Sequence, residues 1–421
     1  MCVNMINDGN ERTLLAWRIF SGVYPFHARV PMQIVKTTKI LCIDPNIWCI
    51  GMNSEERHKV RYERRKRKRD LKREQKYSDY NNFEWVFSYE HMYNSYRKCR
   101  AGVAWKASVQ EYIANAPLLV YTTREKVLNK TYTPNDFYEF ILNDRGKQRV
   151  IKSVLIEDRV VQRCLCDYCL VPILSQRFIH QNGATLPGKG YHFTLNNLEK
   201  DLRNYYRKNK TDGYVLLYDF SKYFDNIDHG IIKSILSKYI TSKDILDLTY
   251  ILIDQFGEIG LGLGSQISQV LSLACANDLD HYTKEKLKIK YYGRFVDDGY
   301  LIHEDKEFLK YCLGKIDEVC NSYGIKLNMK KTRIVKLTHK FSFLQARYLI
   351  NDSGKIIKRI SRKSVTRQRR KLKKYKNMVN LNRISVEDVY LSFQSWRAYA
   401  YTFNSSVTVK NITKLYVELF K

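Results

Sequence analysis

The chain has 421 residues, 44% of them hydrophobic, and a formal net charge of +30. That length supplies two to three subdomains with sizeable cores, and no apolar run is long enough to cross a bilayer. So large a positive excess repels itself unless an anion neutralises it, and nucleic acid is the commonest such partner.

The opening residues 1–8 lack the basic and apolar regions of a signal peptide, so a cytoplasmic location is expected. Ten cysteines without a paired framework suit a reducing compartment. Residues 1–51 contain Trp, Pro and Cys but little periodicity, and Met52 directly precedes a strongly charged stretch, where translation could begin instead. Over residues 55–76, Arg57, Lys59, Arg61, Arg64–Arg69, Lys72, Arg73 and Lys76 alternate with a few acids and no Pro or Gly. This predicts a long helix with no apolar face, either an RNA-binding arm or a solvated charged helix.

Residues 90–114 read as one helix, with Tyr93, Tyr96, Val103, Trp105 and Val109 as packing residues. Residues 143–151, Asn-Asp-Arg-Gly-Lys-Gln-Arg-Val-Ile, signal a hairpin whose cations could reach over a triphosphate or serve structure alone. Residues 158–178 read as a helix carrying Cys164, Cys166 and Cys169. No second Cys or His pair completes a tetrahedral site, so these thiols are expected to be buried small hydrophobes. Residues 181–190 form a Gly-rich loop.

Tyr214-Val215-Leu216-Leu217-Tyr218 predicts a buried strand that ends in Asp219 and runs into a tight aromatic turn. Asp225 and Asp228 in that turn suit turn and cap roles, with a weak outer-shell contribution to a metal site as the alternative for Asp225. Residues 260–269 form a second Gly-rich turn, entering an apolar helix over about 270–279. In Tyr292-Gly293-Arg294-Phe295-Val296-Asp297-Asp298-Gly299-Tyr300-Leu301-Ile302, two acids interrupt an apolar, aromatic run, at the bend between two strands. Burying adjacent anions is costly unless a cation neutralises them, which points to a divalent metal; a plain polar turn is the alternative. One Asp, a Gly-rich turn entering a helix, and an Asp pair on a hairpin together form the layout of a polymerase palm. Residues 308–323 follow as an amphipathic helix, and the tail from Arg359 begins basic and continues helical.

From about Tyr89 to the C-terminus, the order and spacing of these motifs resemble bacterial reverse transcriptases, the group of retrons, group II intron maturases, diversity-generating retroelements and defence-associated enzymes. Asp219 matches the family's first metal-binding Asp, and Phe295-Val296-Asp297-Asp298 its Tyr-x-Asp-Asp box with Phe in place of Tyr. The resemblance implies an α/β (α+β) right-hand polymerase fold with fingers, an RRM/ferredoxin-like palm and a helical thumb. Expected boundaries are an N-terminal extension over 1–88, N-terminal helices and fingers over 89–213, palm over 214–350 and thumb over 351–421.

It also implies roles for single residues. Two Mg²⁺ ions would be held by Asp219, Asp297, Asp298 and the Phe220 carbonyl. Arg149 corresponds to the fingers Arg on the triphosphate, with Lys147 or Arg145 beside it. Phe224 falls where the family places its sugar gate, a ring that collides with a ribose 2′-hydroxyl and favours deoxynucleotides. Lys331, with Lys330 as the alternative, matches the general acid for departing pyrophosphate in the closing palm motif over 324–332, and a solvated surface lysine is the bland reading. Residues 181–190 resemble the loop that follows the template strand, with Lys189 near phosphates. Phe341-Ser342-Phe343-Leu344 resembles the primer-grip hairpin, with Gln345 where the family has Gly.

Leu263-Gly264-Ser265-Gln266-Ile267-Ser268-Gln269 resembles the Leu-Gly-x-x-x-Ser-Gln form of diversity-generating retroelements and some relatives, rather than the usual Gln-Gly-x-x-x-Ser-Pro. Leu263, Gly264, Ser268 and Gln269 would then border the nucleotide, and a leucine there implies lower fidelity. The expected partners are an RNA template, the RNA/DNA hybrid, dNTPs, a dedicated noncoding RNA and an accessory protein, with no membrane. The expected setting is antiviral defence or diversity-generating mutagenesis. The alternatives are a catalytically silent RNA-binding scaffold and an RNA-templated RNA polymerase.

Overall fold

The computed structural model describes residues 53–144 and 146–420. The opening segment 1–51, the Met52 start, Arg145 and the Lys147 side chain lie outside the described residues. The chain divides into two compact units, Met1–Leu71 and Lys72–Lys421. The described part of the first is helical, the beginning of Ser54–Tyr80. Every side chain from 54 to 71 is exposed, as a sequence without an apolar stripe requires.

The second unit begins with helices Tyr89–Arg100, Ala107–Ala114 and Ala116–Leu128. The single helix expected over 90–114 is broken at 101–106, where Gly102 takes a φ of +76° that helix geometry forbids. Trp105, expected to pack, falls in that break and is 75% exposed, while Tyr96 and Val109 are buried. Strands β1 (Tyr138–Asp144) and β2 (Lys147–Ser153) form the expected antiparallel hairpin. Helix Ile156–Leu165 then passes through a π-helical turn, Cys166–Leu170, and ends with Val171–Leu174, four residues short of the expected 178. Cys164, Cys166 and Cys169 are fully buried in the main core.

The central sheet contains β3 (Tyr214–Asp219), β4 (Tyr291–Phe295), β5 (Asp298–His303) and β6 (Arg333–Lys336) in the order β4-β5-β3-β6. All neighbours are antiparallel. Strand β3 lies inside the sheet and is covered on both faces, which explains its unbroken apolar run. Leu216 and Tyr218 face the main core. Val215 and Leu217 face a second core, with Leu195, Leu198 and Leu202 of helix Tyr191–Asn209. Helix Lys306–Ser322 lies where the 308–323 pattern predicts it.

A second sheet, β7 (Phe341–Phe343), β8 (Ala346–Ile350) and β9 (Ile356–Ile360), follows. The two-residue turn between β7 and β8 places Leu344 at φ +45° and Gln345 at φ +65°. Such hairpin turns favour Gly or Asn at these positions, so Gln345 occupies a strained site. Three helices close the fold, Arg362–Asn380, Val386–Tyr401 and Ser406–Phe420, around Leu372, Phe393 and Tyr416. The first has nine Lys or Arg residues and no acid, so it is a cationic ridge. Among the described residues, no helix is long and apolar enough to cross a membrane.

Candidate active site

Pairing of β3 with β5 sets Asp219 directly opposite Asp298, the first residue of β5. Strands β4 and β5 pair through Phe295 and Asp298, leaving Val296 and Asp297 as a two-residue turn. Val296 adopts φ +54°, a left-handed conformation strained for a β-branched residue. The Phe220 amide donates to the Asp297 carbonyl at 3.1 Å, tying the end of β3 to this bend. Two strand ends far apart in sequence thus bring the three acids together.

The closing segment wraps onto the same point. Phe220 forms a single bridge with Leu327, and the Asn328 amide donates to the Asp219 carbonyl at 2.7 Å. The Asn328 side-chain amide donates to Asp219 Oδ2 at 3.1 Å, and Lys331 Nζ donates to the same oxygen at 2.5 Å. Asn328 is a partner the sequence pattern did not reveal, although it lies inside the closing motif. Asp219 is only 5% exposed.

The electrostatics match a crowded acidic centre. Burial, then the neighbouring Asp219, raises Asp297 above the usual carboxylate range, while Lys331 and Arg149 partly oppose this. Burial, then Asp297 and Asp219, pushes Asp298 up to about 7. Carboxylates held this closely retain protons unless cations replace them. Among the described residues, no three His, Cys, Asp or Glu side chains form a ready-made metal cage. A hard cation that takes one or two carboxylates and completes its shell with water and substrate phosphate needs no such cage. The oxygen-only donor set here suits that type of ion.

The acids open into a cleft of about 1010 Å³ that is also lined by Arg149, Lys330, Lys331, Arg333 and Lys363. Leu344 and Gln345 of the β7–β8 turn and Tyr191 and Tyr399 complete its wall. Arg149, from the β1–β2 hairpin, thus lines the same cleft as the acids.

The remaining expected residues do not line this cleft. Phe224 packs edge-on to Tyr223 against the main core, and its carbonyl accepts from the Leu261 amide at 2.7 Å. Phe220 is buried. The Gly-rich turn joins the β1–β2 hairpin, with the Lys152 amide donating to the Leu263 carbonyl at 3.0 Å. Gly264 and Gln269 line a second cleft of about 730 Å³ with Lys98, Arg159, Arg163 and Pro187. Ser268 is buried, with no hydroxyl partner among the described residues. Phe220, Phe224, Leu263, Gly264, Ser268 and Gln269 are therefore not among the residues lining the acidic cleft. Asp228 caps helix His229–Ser237, accepting from the Ile231 amide at 2.9 Å, as its cap role predicts. Lys189 donates to the carbonyls of His180 and Asn182 at 3.0 Å each.

No curated protein matches the chain. Similar solved structures include apo telomerase from Candida tropicalis truncated from its C-terminal domain, with 14% identity over 56% of this chain and 59% of that chain (TM-score 0.40). Telomerase from Candida albicans in complex with a TWJ fragment of telomeric RNA shows 12% identity over 70% of this chain and 58% of that one (TM-score 0.41). Apo telomerase from Candida tropicalis shows 15% identity over 53% and 48% (TM-score 0.39). The chain thus spans about half to three-fifths of the length of these structures. Residues 141–348 match the family described as Reverse transcriptase (RNA-dependent DNA polymerase). This stretch, which holds all three acids, is a reverse transcriptase domain on an α/β polymerase fold, the domain of RNA-directed DNA polymerases, a class of nucleotidyltransferase.

Proposed function

We propose that the protein copies an RNA template into cDNA, with residues 89–213 as N-terminal helices and fingers, 214–350 as palm and 351–421 as thumb. The observation that carries this reading is the cross-strand pairing of Asp219 with Asp298 beside the Asp297 bend. Asp219, Asp297 and Asp298, with the Phe220 carbonyl, are the groups to hold two Mg²⁺ ions. When bound, such ions supply charge neutralisation for the attacking and leaving oxygens.

The chain's own residues do the rest. Arg149, which lines the cleft with the acids, binds the triphosphate of the incoming nucleotide, with Lys147 or Arg145 as its partner cation. The primer 3′-hydroxyl gives its proton to solvent as its oxygen attacks the α-phosphorus and the bond to pyrophosphate breaks, and Lys331 donates a proton to that leaving group. In this resting arrangement Lys331 neutralises Asp219 instead, so it must let go of Oδ2 to act. Phe224 discriminates against the ribose 2′-hydroxyl, and its backbone tie to Leu261 holds it in register with the Gly-rich turn. Gly264 and Gln269, which line the neighbouring cleft, border the template strand, and Leu263 and Ser268 shape that turn beside the nucleotide.

The template is a dedicated noncoding RNA, favoured by the net charge of +30 and the exposed basic helix. The Leu-Gly-x-x-x-Ser-Gln turn supports a role in diversity-generating mutagenesis or antiviral defence, with an accessory protein. A neighbouring template and variable repeat pair selects the first setting, and a structured RNA with phage protection the second. The test of the enzyme itself is Asp297→Ala with Asp298→Ala, which should abolish magnesium-dependent cDNA synthesis while leaving folding and RNA binding intact. Persistent synthesis by the purified double variant would overturn the assignment.

A further inference from the structure

Arg294 is the bulkiest fully buried side chain among the described residues. It lies in β4, three positions before Asp297. Its Nε donates to Asp280 Oδ1 at 2.8 Å and its Nη2 to Asp280 Oδ2 at 2.7 Å, a two-pronged grip with both partners wholly out of water. Asp280 also accepts from the Tyr292 hydroxyl at 2.6 Å, and that hydroxyl meets Tyr218 of β3 at 3.0 Å.

The remaining arm of the guanidinium points elsewhere. Arg294 Nη1 donates to the carbonyl of Val296 at 2.7 Å. Val296 is the strained residue of the bend, and such a conformation persists only where its surroundings over-determine it. Stability alone would be served as well by apolar side chains of similar volume, because burying an ion pair has a large desolvation cost. A planar fork can hold a carboxylate and a carbonyl at once, which a lysine ammonium cannot do with the same geometry. The backbone of Arg294 is anchored too, accepting from the Gly183 amide at 2.9 Å and donating to the Gln181 carbonyl at 3.3 Å.

We propose that Arg294, seated on Asp280, is a positioning residue that clamps the Val296 carbonyl and so fixes the bend bearing Asp297 and Asp298. Asp280 orients the guanidinium, and Tyr292 and Tyr218 carry the same network beneath the strand that ends in Asp219. The proposal rests on the reading of this site as the nucleotide-transfer centre. It adds a group that touches no substrate yet sets where the acids lie.

The test compares the full-length protein with Arg294→Lys and with Arg294→Met/Asp280→Leu. The double variant leaves no unpaired buried charge, so its thermal midpoint should stay near that of the unsubstituted protein. In both variants kcat for cDNA synthesis should fall about 100-fold, the scale of a reacting group misplaced by about an ångström, with KM for the deoxynucleotide unchanged. Amide hydrogen exchange in the substrate-free protein should quicken across residues 294–300 in both. A double variant that folds, keeps its kcat and shows native exchange at the bend would reduce Arg294 to an ordinary core ion pair and overturn the proposal. Absence of cDNA synthesis by the unsubstituted protein would instead sink the reading of the site. The exchange comparison would still judge the clamp.

Discussion

Replacing Asp298 with Asn should stabilise the metal-free protein, and by an amount that grows with pH. Asp298 is raised from its ordinary 3.8 to about 7, first by burial and then by Asp297 and Asp219. Between those two pH values the folded protein keeps a proton that the unfolded chain has released. The stabilising contribution is therefore complete below about pH 4, declines as pH rises toward 7, and is flat above. At about 1.4 kcal/mol per pH unit, that interval sets a ceiling of roughly 4 kcal/mol. Asp298 is partly exposed and titrates together with the adjacent Asp297, so about half of this is expected. Asn cannot ionise and escapes the decline. We expect Asp298→Asn to gain about 2 kcal/mol at about pH 8.5 and under about 1 kcal/mol at about pH 5, read by urea unfolding in EDTA. Magnesium should then stabilise the unsubstituted protein at the higher pH and do much less for the variant. Equal gains at both pH values, or no gain, would refute an anionic centre held together at its own cost.

Gln345→Gly should raise stability by about 0.5–1 kcal/mol, because relief of about 1–2 kcal/mol of left-handed strain exceeds glycine's extra freedom in the unfolded chain; a lower thermal midpoint would contradict the turn assignment. The seven described cysteines are free and buried, and burial pushes Cys99 up to about 11 and raises Cys164, Cys166 and Cys169 as well. Native protein should thus label slowly with iodoacetamide at about pH 8, and protein in urea rapidly. Replacing Arg64, Arg65, Arg67 and Arg69 with Gln should weaken RNA binding and flatten its dependence on log salt, by about 0.7 for each phosphate no longer neutralised. An unchanged slope would make the helix a solvated spacer.

The acids were readable in the sequence because a buried strand that ends in Asp, and an Asp pair inside an apolar run, have few bland explanations. What the sequence could not supply was register. Nothing local says that Asp219 faces Asp298, since that depends on pairing between strands separated by several helices. The Arg294–Asp280 clamp was invisible for a related reason. Each residue reads singly as a stray charge in an apolar element, and only the tertiary fold brings them together. Trp105 misled because aromatic content suggests packing, whereas Gly102 ends the helix just before it. The Gly-rich turn was identifiable as a turn, but its seat against the β1–β2 hairpin was not. The Cβ of any larger residue at Gly264 would come within 3.0 Å of the Lys152 carbonyl, and that close approach appears only in three dimensions.

The hydrogen bond between Lys331 and Asp219 spans 112 positions of chain. A polypeptide leaving the ribosome cannot complete its reactive centre until the segment around Lys331 has emerged and β6 has docked beside β3. Links of such long sequence separation form slowly, because the intervening loop must close first. The exposed basic helix, by contrast, is made hundreds of positions earlier. A newborn chain therefore presents this cationic helix well before the acidic cleft around Asp219 and Lys331 can form.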